Sequence, residues 1–295
     1  MSMRPAFTVL AILGLLTGLA TAAPGVHAQA PAKPAKPKVT FCTGQKDGKY
    51  EELGKTMRTY VRSAELEIVN TEGTLDNLER LAAGTCQVAV VQPDGLTVFK
   101  RQSGKSLDAE FISKAHPEYV HLYCNKESGV DRITDLRGKK DALVILGAQG
   151  SGPWIFWNNL VAEDKTYEPV PTVVADTMKR AAATVESDPK ACMVVISGLK
   201  SKSTLFLNDN YGDTLTLAKA DDRDLKNVKN WAGKPLFTFA PIPEGTYPNI
   251  KPNGRRDIAT VSMEAVVIAD KTLSAEIKDE LTGATKNALK VMFRP

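Results

Sequence analysis

The chain has 295 residues and four cysteines, with 38 basic against 34 acidic side chains and a net charge of +4. That balance, with much of the excess in one proline–lysine stretch and no basic cluster interleaved with aromatics, excludes a nucleic-acid-binding surface. About 255 residues remain once an N-terminal export segment is set aside, enough for a sizeable core and for two lobes.

Arg4 precedes an uncharged apolar run, Ala6 to Ala20, and small residues continue through Ala30. This layout predicts a secretory signal peptide over residues 1–28, cleaved after Ala28 or, as a second option, after Ala30. The run is short of the roughly 20 apolar residues that a membrane span needs. Residues 29–38 alternate proline with lysine from Pro31 onward, which predicts an extended, solvated tether. The mature chain is therefore expected to be exported and periplasmic.

Strands then alternate with helices. "VTFCTG" reads as the first strand. "YEELGKTMRTYVRS" carries a helical stripe of Leu53, Met57, Tyr60 and Val61. "ELEIVN" is the second strand. The helix "TLDNLERLAAG" turns Leu75, Leu78, Leu81 and Ala82 inward and stops at Gly84. The near-continuous apolar run "QVAVVQ" suits a strand buried on both faces. A second series follows: strand "EYVHLYCN", a polar helical turn before "DALVILG", helix "WIFWNNLVAE", strand "TVVAD", helix "DTMKRAAATVES" and strand "ACMVVISG". "TVSMEAVVIAD" is a last strand and "LSAEIKDELTGATKNALKVMF" a closing helix. Repeated β-α units imply right-handed crossovers and open α/β sheets. Periodicity alone gives two such units and does not show the chain returning to the first.

Open α/β sheets bind ligands beyond the carboxyl ends of their strands. Five glycine-bearing loops lie there. They offer Thr43, Gly44, Lys46, Gly48 and Tyr50; Thr71, Gly73 and Thr74; Gln92 and Asp94; Gln149, Gly150, Ser151, Gly152 and Trp154; and Ser197, Gly198 and Lys200. A helix N-terminus has unpaired N–H groups and a partial positive charge, and glycine admits a ligand close to the backbone. Several such ends together make a site for a carboxylate or similar anion. Each loop alone also reads as ordinary cap and turn chemistry, with Thr74 and Ser151 as N-caps and Pro153 early in its helix. Five at equivalent places point to a site. Lys46 and Lys200 either pair with an anion or are simply solvated.

Cys42, Cys86, Cys124 and Cys192 have neither metal-ligand spacing nor a C-x-x-C pair. An exported chain can form disulfides; three pairings are open, and buried thiols fit equally. Catalytic signatures are sparse. The histidines are His27, His116 and His121, and "QGSGP" lacks the first glycine of a nucleophile elbow. His121 sits in an apolar strand as a packed histidine would. A serine hydrolase using Ser151 and His116 is the enzyme alternative. No cofactor and no metal are expected.

The stretches "TGQKDGKYEELG", "NTEGTLDNLERLAAGTCQVAVVQPDGL", "HPEYVHLYCNKESGVDRITDLRGKK", "LGAQGSGPW", "PIPEGTYPNI" and "DIATVSMEAVVIAD" recur in order over residues 40 to 270. Together they resemble the TAXI-type solute-binding proteins of tripartite ATP-independent periplasmic (TRAP) transporters. The resemblance implies a type II periplasmic-binding-protein fold: two α/β lobes joined by a hinge, with the ligand cleft between them. By analogy lobe I is residues 39–121 plus 259–295 and lobe II is 122–258. It also implies capture of a small organic anion (a carboxylate, amino acid or aromatic acid) by hinge closure and delivery to membrane permease subunits; a monomer is expected. A sensor, or a binding protein for an ATP-driven (ABC) importer, shares that fold. The sequence departs from the family pattern at Gln45, Lys46, Asp47 and Lys49, and at Pro153-Trp154 after "GSG". Trp154 or Tyr50 is thus expected to meet an apolar or planar part of the ligand; the alternative is that Trp154 and Trp157 pack in the core.

Overall fold

The computed structural model describes residues 35–230 and 233–294, so the signal peptide and most of the tether lie outside the described residues. The first half is built as expected: β1 (Lys38–Cys42), α1 (Lys49–Arg58), β2 (Glu65–Val69), α2 (Thr74–Ala82) and β3 (Val88–Val91). β1 runs parallel to both β2 and β3, and all four residues of β3 are buried. Leu53, Met57 and Val61 go to the core, whereas Tyr60 lies past the end of α1 and is exposed. Ala82 is exposed too, because α2 has completed its buried stripe at Leu81. Gly84 closes that helix with φ of 72° and an N–H bond to Leu81 O.

Beyond β3 lies α3 (Gly95–Ser103), which sequence patterning did not reveal; its buried apolar contribution is little more than Val98 and Phe99. The expected strand at 118–125 begins much earlier, as β4 (Ala109–Asn125), 17 residues long. The polar helical turn is a short 3-10 helix, Ile133–Leu136. The second half continues with β5 (Leu143–Leu146), α4 (Gly152–Glu163), β6 (Thr172–Val174), α5 (Met178–Ser187) and β7 (Ala191–Ser197). Three further elements were not anticipated: α6 (Lys202–Asn210), β8 (Leu215–Ala218) and β9 (Thr238–Ile242). β10 (Ile258–Asp270) and α7 (Ala275–Met292) complete the chain.

The sheet order is β2-β1-β3-β10-β4-β7-β5-β6, with β8 added to β4 and β9 to β10. β10 pairs antiparallel with β3 and with β4, so the chain does return to its first half. α7 seals that return by placing Ile277, Leu281, Ala284 and Ala288 against Leu53 and Met57 of α1. On the other half, Phe156, Trp157 and Leu160 of α4 cover one sheet face, and Ala181, Ala182 and Val185 of α5 cover the opposite one.

Disulfides join Cys42 to Cys86 and Cys124 to Cys192. The second links residues directly opposite on antiparallel β4 and β7. Asp164, Asp222 and Asp224 lie close enough together to hold a metal ion, but the Arg137 guanidinium pairs with all three at 2.8 to 2.9 Å and supplies the positive charge there.

The three strand ends of the first half are tied together by one side chain. Asn77 Nδ2 donates to Thr43 O at 2.6 Å and to Val90 O at 2.7 Å, while its Oδ1 accepts from Thr71 Oγ1 at 2.6 Å. Asn77 is fully buried. Asn77→Ala strips partners from two buried carbonyls, each worth roughly 1–3 kcal/mol. We expect a stability loss of about 3 kcal/mol in urea unfolding; a loss below about 1 kcal/mol contradicts this role.

Candidate functional site

Five helices begin around one cavity of about 540 Å³. Its wall includes Gly48 and Lys49 at the start of α1, Gly73 and Thr74 at α2, Ser151 and Gly152 at α4, Thr177 and Met178 at α5, and Ser201 and Lys202 at α6. The last two helices are capped by their own side chains: Thr177 accepts from Arg180 N and Ser201 from Thr204 N. The starts of α1, α2 and α4 have no side-chain cap. Sequence reasoning made Thr74 and Ser151 caps. Instead Gly73 occupies the cap position of α2, with φ of 117°, and the Thr74 hydroxyl accepts from Gln92 N. The Ser151 hydroxyl, though at the cap position, makes no cap bond.

Of the residues expected at the site, Gly44, Gly48, Tyr50, Gly73, Thr74, Gln92, Ser151, Gly152, Ser197 and Gly198 line this cavity. The others lie off its wall. Thr43 and Thr71 are buried in the Asn77 bracket. Lys46, Gln149 and Lys200 are exposed. Lys200 sits at φ of 53°, its N–H directed to Tyr247 Oη. Gly150 is buried and its carbonyl accepts from Leu75 N. Trp154 packs against the apolar residues beneath α4 and beneath α2, the packing alternative already weighed for it. Trp157 is buried beside Tyr167. The lysines of the wall are thus Lys49 and Lys202, against the carboxylates of Asp47, Glu52, Glu72, Glu118 and Asp176.

Sequence reasoning missed the floor, which comes from β4. Glu264 and Val266 of β10 stand opposite Pro117 and Lys114, so Ala115 and His116 form a bulge facing the single residue Ala265. Proline lacks an N–H and suits such a break in a ladder. His116 and Glu118, flanking Pro117, both reach the cavity. The available signal was "HPE": a proline and a charge inside an otherwise apolar strand. Glu118 Oε2 accepts from Gln92 Nε2 at 2.8 Å and from Tyr50 Oη at 3.1 Å. Burial, then the Glu118 charge, raise the Tyr50 phenol well above its ordinary range. Behind this floor Asp94 is fully buried. Burial first and Glu118 second push its carboxyl up to about 8.

No hydrogen bond joins Ser151 Oγ to either nitrogen of His116, so the nucleophile–base contact of a hydrolase is not formed. His121 lies away from the cavity wall, its Nε2 bonded to Tyr247 Oη at 2.9 Å, and burial lowers it to about 4.

Asp94 and His121 make opposing contributions to stability against pH. Between about 4 and 8 folded Asp94 keeps a proton that the unfolded chain has lost, so its contribution falls as pH rises. Between about 4 and 6.5 unfolded His121 holds a proton that the folded form lacks, so its contribution rises with pH. The two offset each other below pH 6.5, and Asp94 acts alone above it. Chemical denaturation of the unliganded protein is expected to show a stability loss of about 1 kcal/mol from pH 6.5 to 8. Asp94→Asn is expected to abolish that loss; an unchanged slope in the variant contradicts the assignment.

Residues 41–290 match the NMT1-like family. No curated protein matches the chain. Among solved structures it is similar to the alkanesulfonate-binding protein SsuA from Xanthomonas axonopodis pv. citri bound to MOPS, at 13% identity and TM-score 0.51, covering 88% of this chain and 76% of that one. The GluR0 ligand-binding core from Nostoc punctiforme in complex with L-glutamate is similar at 11% identity and TM-score 0.50, covering 87% and 100%. XAC2383 from Xanthomonas citri bound to ATP is similar at 11% identity and TM-score 0.51, covering 88% and 89%. At these identities the likeness speaks for the fold, that of the type II periplasmic binding proteins. With 250 consecutive residues matched, the chain belongs to the NMT1-like family.

Proposed function

We propose that this protein is an extracytoplasmic solute-binding protein that captures a small organic acid in the cavity and hands it to a membrane permease. One observation carries the reading: three helix N-termini without side-chain caps converge on a cavity of about 540 Å³ at the strand ends. Uncapped N–H groups and helix dipoles favour a carboxylate over water there. The volume fits a small organic molecule. Among proteins of this fold, SsuA holds a sulfonate-bearing buffer and the GluR0 core holds glutamate. Both ligands are acids.

Capture by closure of two lobes, residues 39–121 with 259–295 against 122–258, is part of the proposal, and so is a TRAP-type permease, which rests on the TAXI-like stretches. Closure moves the α1 and α2 ends relative to the α4 end and expels water between them. No helix among the described residues is long and apolar enough to cross a membrane.

Thermal-shift measurements on residues 35–295 against amino acids, oxo acids and aromatic acids test the reading. An acid present well above its dissociation constant is expected to raise the midpoint by several degrees. No rise with any of them removes the organic-acid reading. Gly73→Ala, which forces a side chain into a region only glycine adopts comfortably, is expected to weaken any such ligand about tenfold or more in calorimetric titration.

A further inference from the structure

The uncapped helix starts account for an acid and leave one side of the cavity unused. Under α5 the wall is apolar. Ile145 of β5, Met193 and Val195 of β7, Ala175, and Met178 and Ala181 of α5 all line it. Ile145 and Met193 are paired residues on neighbouring parallel strands. Alternation along β7 turns Met193, Val195 and Ser197 to one face, and the first two pack with Ala181 of α5. Ser197 is on the wall too. The cavity thus continues along that face from Ser197 to Met193, about 13 Å at the usual rise of a strand. α5 leaves the room by presenting only an alanine at 181, one turn after Met178.

Polar groups around this annex have partners in the protein. Thr177 Oγ1 accepts from Arg180 N. Ser201 Oγ bonds to Ser197 Oγ and accepts from Thr204 N. Asp176 is exposed and pairs with Arg180 at 3.0 Å, and Lys202 is exposed. The wall's buried side-chain atoms without a partner among the described residues belong instead to Gln92, His116 and Ser151. One end of the cavity is therefore polar and the other apolar. Tyr50, bonded to Glu118, belongs to the polar end, and Trp154 lies off the wall. No ring is among the six residues of the annex, so nothing there stacks on a planar group. Met178 and Met193 are unbranched and adapt to a flexible chain.

We propose that the annex beneath α5 is a subsite for an unbranched aliphatic chain, so that the solute is a monocarboxylic acid with a tail of several carbons rather than a dicarboxylate. This inference rests on the organic-acid reading for the carboxylate, held at the starts of α1, α2 and α4. A second carboxylate at the far end would be buried in the annex without a partner, at high cost. A methylene gains there by leaving water, about threefold to fourfold in affinity for each one buried.

The test titrates the wild-type protein calorimetrically with acetate, butanoate, hexanoate, adipate and hexan-1-ol. Hexanoate is expected to bind about tenfold or more tightly than butanoate, and by a similar factor more tightly than adipate, which has the same length and a second charge. Ala181→Leu, which fills the annex with a good helix former, is expected to erase the gain from butanoate to hexanoate. Its butanoate affinity and its unfolding midpoint without ligand are expected to stay close to wild type. Butanoate or adipate binding as tightly as hexanoate overturns the annex and leaves the organic-acid reading standing. Hexan-1-ol binding as tightly as hexanoate supports the annex and overturns the organic-acid reading. An unchanged chain-length gain in Ala181→Leu overturns the annex. No binding by any of the five also overturns it, and the thermal-shift panel then decides the organic-acid reading by itself. Should Ala181→Leu fold poorly, the wild-type comparison of hexanoate with butanoate and adipate decides.

Discussion

The antiparallel pairing of β4 with β10 is the constraint on which the molecule hangs. These strands of 17 and 13 residues run on through both halves of the sheet. One half attaches through β3 to β10, the other through β7 to β4. Neither half closes its sheet without them. A pairing of this length joins residues far apart in sequence and carries a loop-closure cost. It also dictates where irregularity is tolerated. The bulge at Ala115 and His116 lies in the middle of the pairing, where an ideal ladder would have turned alternate side chains of β4 to opposite faces. His116 and Glu118, two residues apart, share a face of β4 and reach the cavity where that pairing is interrupted.

The polar chemistry of the cavity is set against its stability. Three helix starts have given up side-chain capping, each such cap being worth about 1 kcal/mol. Glu118 and Asp94 are buried within electrostatic reach of one another, and Asp94 yields by holding a proton up to about 8. Elsewhere the protein satisfies its buried polar groups closely. Asn77 uses three of its four hydrogen-bonding positions on neighbouring strand ends, and Arg137 neutralises three aspartates. The contrast matters. Buried groups without partners cluster at the cavity, so they read as reserved for a ligand rather than as general looseness.

How much of this was legible in the sequence follows from the range of the signals. Helical stripes and short apolar strands are local, and the β-α alternation gave both α/β halves. The loops at strand ends were legible because glycine and hydroxyl residues mark helix starts. Ten of those residues do line the cavity. What escaped depends on distant pairing. The N-terminal half of β4 has its pairing interrupted by two register shifts, and residues 109–117 show no clean strand alternation. α3 and α6 bury too few apolar residues to announce themselves. Lys46 and Lys200 take the solvated alternative; the wall lysines, Lys49 and Lys202, stand two or three positions on, past residues in the left-handed region at Asp47 and Lys200. The disulfide pairing was open in sequence, and only the strand order puts Cys124 opposite Cys192.

The two ends of the cavity differ in how they are built, and this bears on selectivity. Under the proposed function the helix termini take an acid by backbone N–H groups, which any sequence supplies, so they discriminate little among carboxylates. The floor works through side chains fixed by other side chains: Tyr50 and Gln92 converge on one oxygen of Glu118, and the Gln92 amide is oriented as a result. Close packing reinforces this, since a Cβ at Gly152 would come within 2.6 Å of the Gln92 amide. A floor oriented before the solute arrives loses little rotamer entropy on binding. It also penalises a solute that leaves its acceptors unpaired, which is the stronger source of discrimination. On that reading the acid end supplies general affinity, and the floor on β4 supplies the choice among acids.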